Sequence, residues 1–243
     1  MTQITSHHNQ KLKEIRKLRT RRRWRDRSGL FVAEGEDLLS VADAHGWTAI
    51  ERYAAVGSGL PGVSVDADVL ASASGLGSGT RTLAVYEERW LSAPVGPRCV
   101  YLHGLHDPGN VGAVLRSAQA FGTSCVALGP ATADPFSPKA VRASMGAVFA
   151  VPLARAEVAD LPGTKIALVP DAGEVLWRFS WPYVNSSAID LTLMIGAERD
   201  GLPGKVVAQA DHVAHIPIQT DSLNAAMAAT IALYEITRRM APE

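Results

Sequence analysis

The chain of 243 residues predicts an α/β protein: a small α/β domain over residues 1–90, a linker over 91–98 and a larger α/β domain over 99–243. Three observations carry this reading. Strand-like and helical patterns alternate along the first ninety residues. The stretch Glu87 to Arg98, EERWLSAPVGPR, has two prolines and mixed charge, the composition of a linker. Beyond it, the runs Leu191 to Ile195 and His212 to Ile218 each end in a loop of small and polar residues that leads into a helical pattern. Loops at the carboxyl ends of strands are where open α/β sheets hold ligands.

The first domain opens on a basic segment. Residues 11–27, KLKEIRKLRTRRRWRDR, hold ten Lys or Arg against Glu14 and Asp26, an excess of eight positive charges in a chain whose net charge is zero. Leu12, Ile15 and Leu18 recur on one helical face, so a docked amphipathic helix with a basic outer side is expected. Such a concentration is the electrostatic footprint of a nucleic-acid partner, with Arg19, Arg21, Arg22, Arg23 and Arg25 as the contacting residues. The segment continues as a strand at Gly29 to Ala33, a helix at Glu36 to His45, a strand around Trp47 to Val56, the short run Val63 to Val65, a helix at Ala67 to Ala73 and a strand at Thr80 to Tyr86. No metal-ligand cluster and no nucleophile beside a base falls in this domain, so binding is assigned to it and not chemistry.

The second domain starts with a strand at Cys99 to Leu102. A helix from Val111 to Phe121 follows, with Asn110 as its N-cap after a Pro-Gly turn. Arg116 lies off the apolar stripe of Val111, Val114, Leu115 and Ala118, without an acidic residue at i±4, and is free to point toward a loop-borne ligand. Next come a strand at Ser124 to Leu128, a helix start at Ser137 with Pro138 in its first position, and strands at Ala147 to Leu153 and Lys165 to Val169. Lys139 and Arg142, three apart, share a face and suit a phosphate. Leu176 to Tyr183 reads equally as interface or core.

Composition excludes several classes. The longest apolar runs fall far short of the ~20 residues of a membrane span, and the basic N-terminus has no apolar signal region, so a cytoplasmic, membrane-free protein is expected. Cys99 and Cys125 sit in apolar strand-like runs and read as reduced, buried thiols. There is no dinucleotide glycine fingerprint, no Walker loop, no H-E-x-x-H and no C-x-x-C. His103/His106 and His212/His215 stand three apart in strand or loop, which points their rings to opposite faces, so no metal site is assigned.

Three blocks, DPGNVGAVLRSAQAFG (107–122), LMIGAERDGLP (193–203) and IPIQTDSLNAAMAATIALYE (216–235), resemble in order and spacing the motifs of the SPOUT superfamily, specifically the TrmH-like (SpoU) RNA ribose 2′-O-methyltransferases. SPKAVRASMGAVF (137–149) agrees with them, and the N-terminal ITSHHNQKLKEIRKLR with GLFVAEGEDLL resembles the substrate-binding domain of the ribosomal RNA members. The resemblance implies a SPOUT catalytic domain with a parallel sheet tied in a deep trefoil knot, an exception to the rule that chains avoid threading. It implies S-adenosyl-L-methionine as methyl donor, ribosomal RNA as substrate and a homodimer with the active site at its interface. By motif position, Gly196, Ile216 and Leu223 contact the cofactor. Asn110, Arg116, Glu198, Ser222 and Asn224 form the catalytic set, with Arg116 reaching toward the partner subunit's cofactor. A transfer RNA methyltransferase and a non-catalytic RNA- or ribosome-binding protein of the same fold are the alternatives.

The residue types suit that chemistry. Methyl transfer to a ribose hydroxyl is an in-line displacement that needs no metal if the oxygen is held close and its proton can leave. Gly196 and Gly201 let backbone approach a ligand, and Glu198 places a carboxylate just past a strand end. Ser222 reads as the N-cap of the last helix, with Asn224 in its first turn. A guanidinium is a poor proton acceptor, so Arg116 is read first as a phosphate and oxyanion stabiliser, with the base left open. Arg199-Asp200 and Ala225-Ala226 depart from the family pattern at positions that bear on substrate contacts.

Overall fold

The computed structural model describes residues 3–75, 79–179, 183–184, 187–188, 190–220 and 222–240. In chain order it contains α1 (Gln10–Thr20), α2 (Arg22–Ser28), β1 (Leu30–Glu34), α3 (Glu36–Ala44), β2 (Glu51–Ala55), β3 (Val63–Val65), α4 (Ala67–Ala73) and β4 (Thr82–Glu87). There follow β5 (Arg98–Leu102), α5 (Pro108–Ala120), β6 (Cys125–Leu128), α6 (Pro138–Ala143), α7 (Ala147–Ala150), β7 (Leu153–Arg155), β8 (Thr164–Val169) and β9 (Glu174–Val175). The two-residue strands β10 (Tyr183–Val184) and β11 (Ser187–Ala188), then β12 (Leu191–Ile195), α8 (Gly204–Val207), β13 (His212–His215) and α9 (Ala225–Met240) complete it.

The chain divides into two compact units, Met1–Glu88 with Asp134–Ala150, and Arg89–Ala133 with Val151–Glu243. In the first unit, Asn9 caps α1 by accepting from the Lys11 amide at 2.9 Å. Leu12, Ile15 and Leu18 are buried against Val32, Tyr53 and Leu83, a contribution of about 1.5–3 kcal/mol per side chain. The basic segment is two helices and not one, because Arg21 takes an extended conformation (φ −125°, ψ 105°) between them. The sheet runs β1-β4-β2-β3, antiparallel except for the β2/β3 pair.

Asp134–Ala150, which the sequence placed in the second domain, folds with the first unit. The cause is an aromatic cluster: Phe136 lies 4.6 Å from Phe31, Phe149 lies 5.2 Å from Trp47 and from Tyr86, and Trp47 Nε1 donates to the Phe149 carbonyl at 2.8 Å. The expected strand at 147–153 is instead helix α7 followed by β7. Gly146 turns the chain at φ +94°, where a Cβ would stand 2.7 Å from Val41 Cγ1, so the S-M-G sequence is read as a close-packed turn.

The second unit holds a seven-stranded sheet, β7-β6-β5-β12-β8-β13-β9, in which every pairing is parallel. Strands covered on both faces read as near-continuous apolar runs, which is why LTLMI at β12 is buried at all five positions. Tyr101, Ala127, Ala167 and Met194 form one face with Val158, Leu161, Leu202 and Val206. Cys99 and Cys125 are register partners on β5 and β6, buried and free, with sulfurs 3.3 Å apart.

Candidate functional site

Parallel pairing places the ends of β8, β12 and β13 at one edge of the sheet, with Met194 beside Ala167 and His215 beside Val169. Immediately after β12 the chain folds back on itself. Ala197 and Gly201 exchange backbone hydrogen bonds at 3.2 and 3.0 Å, and Gly201 takes φ +62°. A Cβ on Gly196 would stand 2.1 Å from the Gly201 carbonyl carbon and 2.3 Å from the Leu202 nitrogen, so only glycine fits there. The loop leaves Glu198 and Arg199 facing an open cleft, lined also by Gly196, Ile216, Ser222 and Leu223.

Helices α5 and α9 pack beside one another and bring in the polar groups. The cap of α5 is Asp107, which accepts from the Gly109 amide at 2.9 Å with Pro108 in the first position. Asn110, expected as the cap, therefore sits in the first turn with its side chain released for other partners. Its Nδ2 donates to Glu198 Oε1, and its Oδ1 accepts from Asn224 Nδ2 at 3.1 Å. Asn224, not Ser222, caps α9, with Oδ1 accepting from the Ala226 and Met227 amides at 3.0 and 3.2 Å. Ser117 and Thr230 join the two helices further along, with hydroxyls 2.6 Å apart.

Of the predicted residues, Asn110, Glu198 and Asn224 thus form one hydrogen-bonded chain, while Gly196, Glu198, Ile216, Ser222 and Leu223 share the cleft. Arg116 joins neither: it is exposed on α5, without an ion pair among the described residues. Unforeseen lining residues include Leu168, Val169, Pro170, Ile218 and Ala228. The strand-end rule points to Val169-Pro170, since Val169 ends β8 and Pro170 follows it; Ala228 is reached only through the way α9 packs.

Beside this edge, Tyr101 and His103 form a titratable pair, the hydroxyl 3.0 Å from His103 Nδ1. Burial pushes Tyr101 up to about 12 and holds His103 below the ordinary imidazole range. At neutral pH the pair is therefore a protonated phenol hydrogen-bonded to a neutral imidazole. His106 instead donates from Nδ1 to the Gly104 carbonyl.

In the first unit the basic residues divide. Arg21, Arg22, Arg23 and Lys139 are exposed. Arg25 is not: it is 4% exposed, its Nε 2.7 Å from Asp134 Oδ2 and its Nη1 2.6 Å from the Leu18 carbonyl. The expectation that Arg25 contacts RNA is corrected; a charge so enclosed serves the fold. Arg19 is largely enclosed as well, 2.6 Å from Glu34, and Arg142 is half-buried.

A parallel α/β unit with a glycine-walled cleft at its strand ends, flanked by an amide and carboxylate cluster, has the make-up of an enzyme that takes a small-molecule donor. The chain belongs to the SpoU rRNA methylase family, whose model matches residues 97–234. Residues 9–76 match the MRM3-like substrate binding domain. An uncharacterized tRNA/rRNA methyltransferase of Synechocystis sp. is 31% identical over 97% of this chain and 93% of its own. The 23S rRNA (guanosine(2553)-2′-O)-methyltransferase of Bacillus subtilis is 27% identical over 97% and 99%. The crystal structure of an AdoMet-bound rRNA methyltransferase from Sinorhizobium meliloti superposes with a TM-score of 0.84 at 31% identity, covering 99% of both chains.

Proposed function

We propose that this protein transfers a methyl group from S-adenosyl-L-methionine to a ribose 2′-hydroxyl of ribosomal RNA. The single observation that carries this reading is the Glu198-Asn110-Asn224 chain at the cleft behind Gly196. The cleft fits the donor: Gly196 and Gly201 bring backbone to its wall without side chains, and Ile216, Leu223 and Ala228 give it an apolar lining. When bound, the donor supplies a methyl group on a positively charged sulfur. The carboxylate of Glu198, held in place by the Asn110 amide, supplies an acceptor beside the cleft for hydrogen-bonding the ribose hydroxyl. The bond broken is sulfur to methyl, the bond made is oxygen to methyl, and the hydroxyl proton leaves to a base.

Several finer features belong to the same proposal. The strand order, with β12 between β5 and β8 and β13 beyond β8, supports a trefoil knot. Met227, Ile231 and Tyr234 stand on one face of α9 at 60%, 41% and 55% exposure, an apolar stripe that supports a homodimer packed along this helix. In that dimer Arg116 acts on the partner's site as an anchor for phosphate and developing oxyanion. Sedimentation of the full chain tests the dimer; a monomer at working concentration counts against it. Residues 1–90 bind the RNA. The 2′-O chemistry and the ribosomal target are supported by the B. subtilis relative's name. Mapping ribose methylation across ribosomal and transfer RNA from a strain lacking the protein tests the target: one lost ribosomal site is expected, and an unchanged map overturns it.

A further inference from the structure

Within the first unit, two guanidinium groups converge on Gly75 with one carboxylate beside them. Arg19, near the end of α1, and Arg142, on α6, both reach Gly75: Arg19 Nη2 and Arg142 Nη1 lie 2.2 and 3.2 Å from the position a Gly75 Cβ would take. Two like charges this near one point repel, and each needs an anion. The anion present is Glu34, 6% exposed at the end of β1. Its carboxylate lies 2.6 Å from Arg19 Nε and accepts from the Gly75 amide at 3.1 Å at both oxygens and from Ser74 Oγ at 3.3 Å. Glu34 is thus engaged by the Arg19 charge and by the 74–75 turn.

Arg142 is left over. It is half-buried, and among the described residues no carboxylate pairs with it and no acceptor takes a hydrogen bond from its side chain. Residues 76–78, which follow Gly75 in the chain, are Leu, Gly and Ser and carry no charge. Arg16 adds a third cation: like Arg142 it pushes the Arg19 guanidinium toward lower pKa, after burial and against the opposing pull of Glu34. Arg16 itself is held by the His7 carbonyl at 2.8 Å and Ser72 Oγ at 2.9 Å. Three arginines against one carboxylate, with one guanidinium half-buried and unpaired among the described residues, is an arrangement that an incoming dianion or phosphodiester completes. The planar fork of arginine matches two phosphate oxygens.

We propose that Arg142, with Arg19 as its fixed neighbour, is a cradle for one backbone phosphodiester of the substrate RNA. This rests on the reading of the chain as an RNA methyltransferase. Glu34 is a positioning residue: it holds Arg19 and the turn so that Arg142 finds positive charge beside it and not a competing carboxylate. The cradle joins the α1 segment to the 134–150 segment, so RNA is gripped by residues from both parts of the sequence that make up this unit.

The test is binding of a labelled RNA hairpin by the full-length protein across a KCl series, with S-adenosyl-L-methionine binding measured in parallel. Arg142→Gln is expected to weaken RNA binding roughly tenfold and to reduce the slope of log affinity against log salt by about one, the signature of one lost phosphate contact. Arg142→Lys keeps most of the slope, because the charge stays. Arg81→Gln removes an equal charge from an exposed pair with Glu36 elsewhere in this unit and leaves the slope unchanged. Unchanged thermal unfolding and cofactor binding show that the variants fold. If Arg142→Gln binds the hairpin with wild-type affinity and slope, the cradle is overturned while the RNA reading stands. If the unsubstituted protein binds no RNA, both fall.

Discussion

Asn224 donates its side-chain amide to Asn110 Oδ1 across 3.1 Å while its own Oδ1 caps α9, so one residue fixes both the helix start and the orientation of the group that holds Glu198. The two tasks separate by substitution. Asn224→Ala loses the cap and costs about 1 kcal/mol. Asn224→Ser keeps a capping oxygen but has no amide to give Asn110. Thermal unfolding of the serine variant stays near wild type, while kcat falls on the order of a hundredfold, because the Asn110 and Glu198 side chains lose their registration. A serine variant with full kcat would show that the link plays no part in turnover.

Gly196→Ala tests the cleft. The added methyl meets the Gly201 and Leu202 backbone at 2.1 and 2.3 Å, which no side-chain rotation relieves. Calorimetry is expected to show donor affinity down by more than about tenfold, or ~1.4 kcal/mol, with RNA binding retained. Equal donor affinity would mean that this loop does not shape the cofactor site.

Arg25 separates folding from recognition. Breaking its buried pair with Asp134 leaves an uncompensated charge, worth about 3–5 kcal/mol. Arg25→Met therefore lowers the urea midpoint strongly, and the double variant Arg25→Met/Asp134→Leu recovers part of the loss. RNA affinity per folded molecule stays at the wild-type value; a selective loss of RNA binding with unchanged stability would restore Arg25 to the RNA interface.

The Tyr101 and His103 pair sets a pH dependence. Burial lowers the folded His103 pKa, so below about 6.5 the unfolded chain takes up a proton that the folded one resists. Its stabilisation is complete above the unfolded value and is lost as pH falls toward the folded one. His103→Gln keeps a hydrogen-bonding group beside the Tyr101 hydroxyl but does not titrate. Its unfolding temperature should fall less than that of wild type on acidification through this window. Parallel curves would remove His103 as a contributor.

Much of this organisation was legible in the residues. Helix α4 occupies Ala67–Ala73 as its pattern indicates, and the apolar runs at β5, β8 and β12 are strands. The cleft residues Gly196, Ile216 and Leu223 follow from motif and strand end together. The misreadings have local causes. In D-P-G-N, both Asp107 and Asn110 are good caps, and Pro108 decides for Asp107 because its fixed φ and missing N–H suit the first helical position. The short continuous apolar run after Met145 reads as a buried strand, but Gly146 packs on Val41 and the run turns helical. Arg25 looks solvated inside a basic run, since its carboxylate partner is 109 residues away in the chain. A contact of that separation leaves no trace in composition or period.

The central claim is methyl transfer to a sugar hydroxyl, and the most direct measurement follows the methyl group. Purified protein is incubated with methyl-labelled S-adenosyl-L-methionine and ribosomal RNA from a strain lacking it, and the RNA is digested to nucleosides for mass spectrometry. The label is expected on the ribose fragment of a single nucleoside, absent with Glu198→Gln or Asn110→Ala. Label on a nucleobase, or full incorporation by those variants, would contradict it.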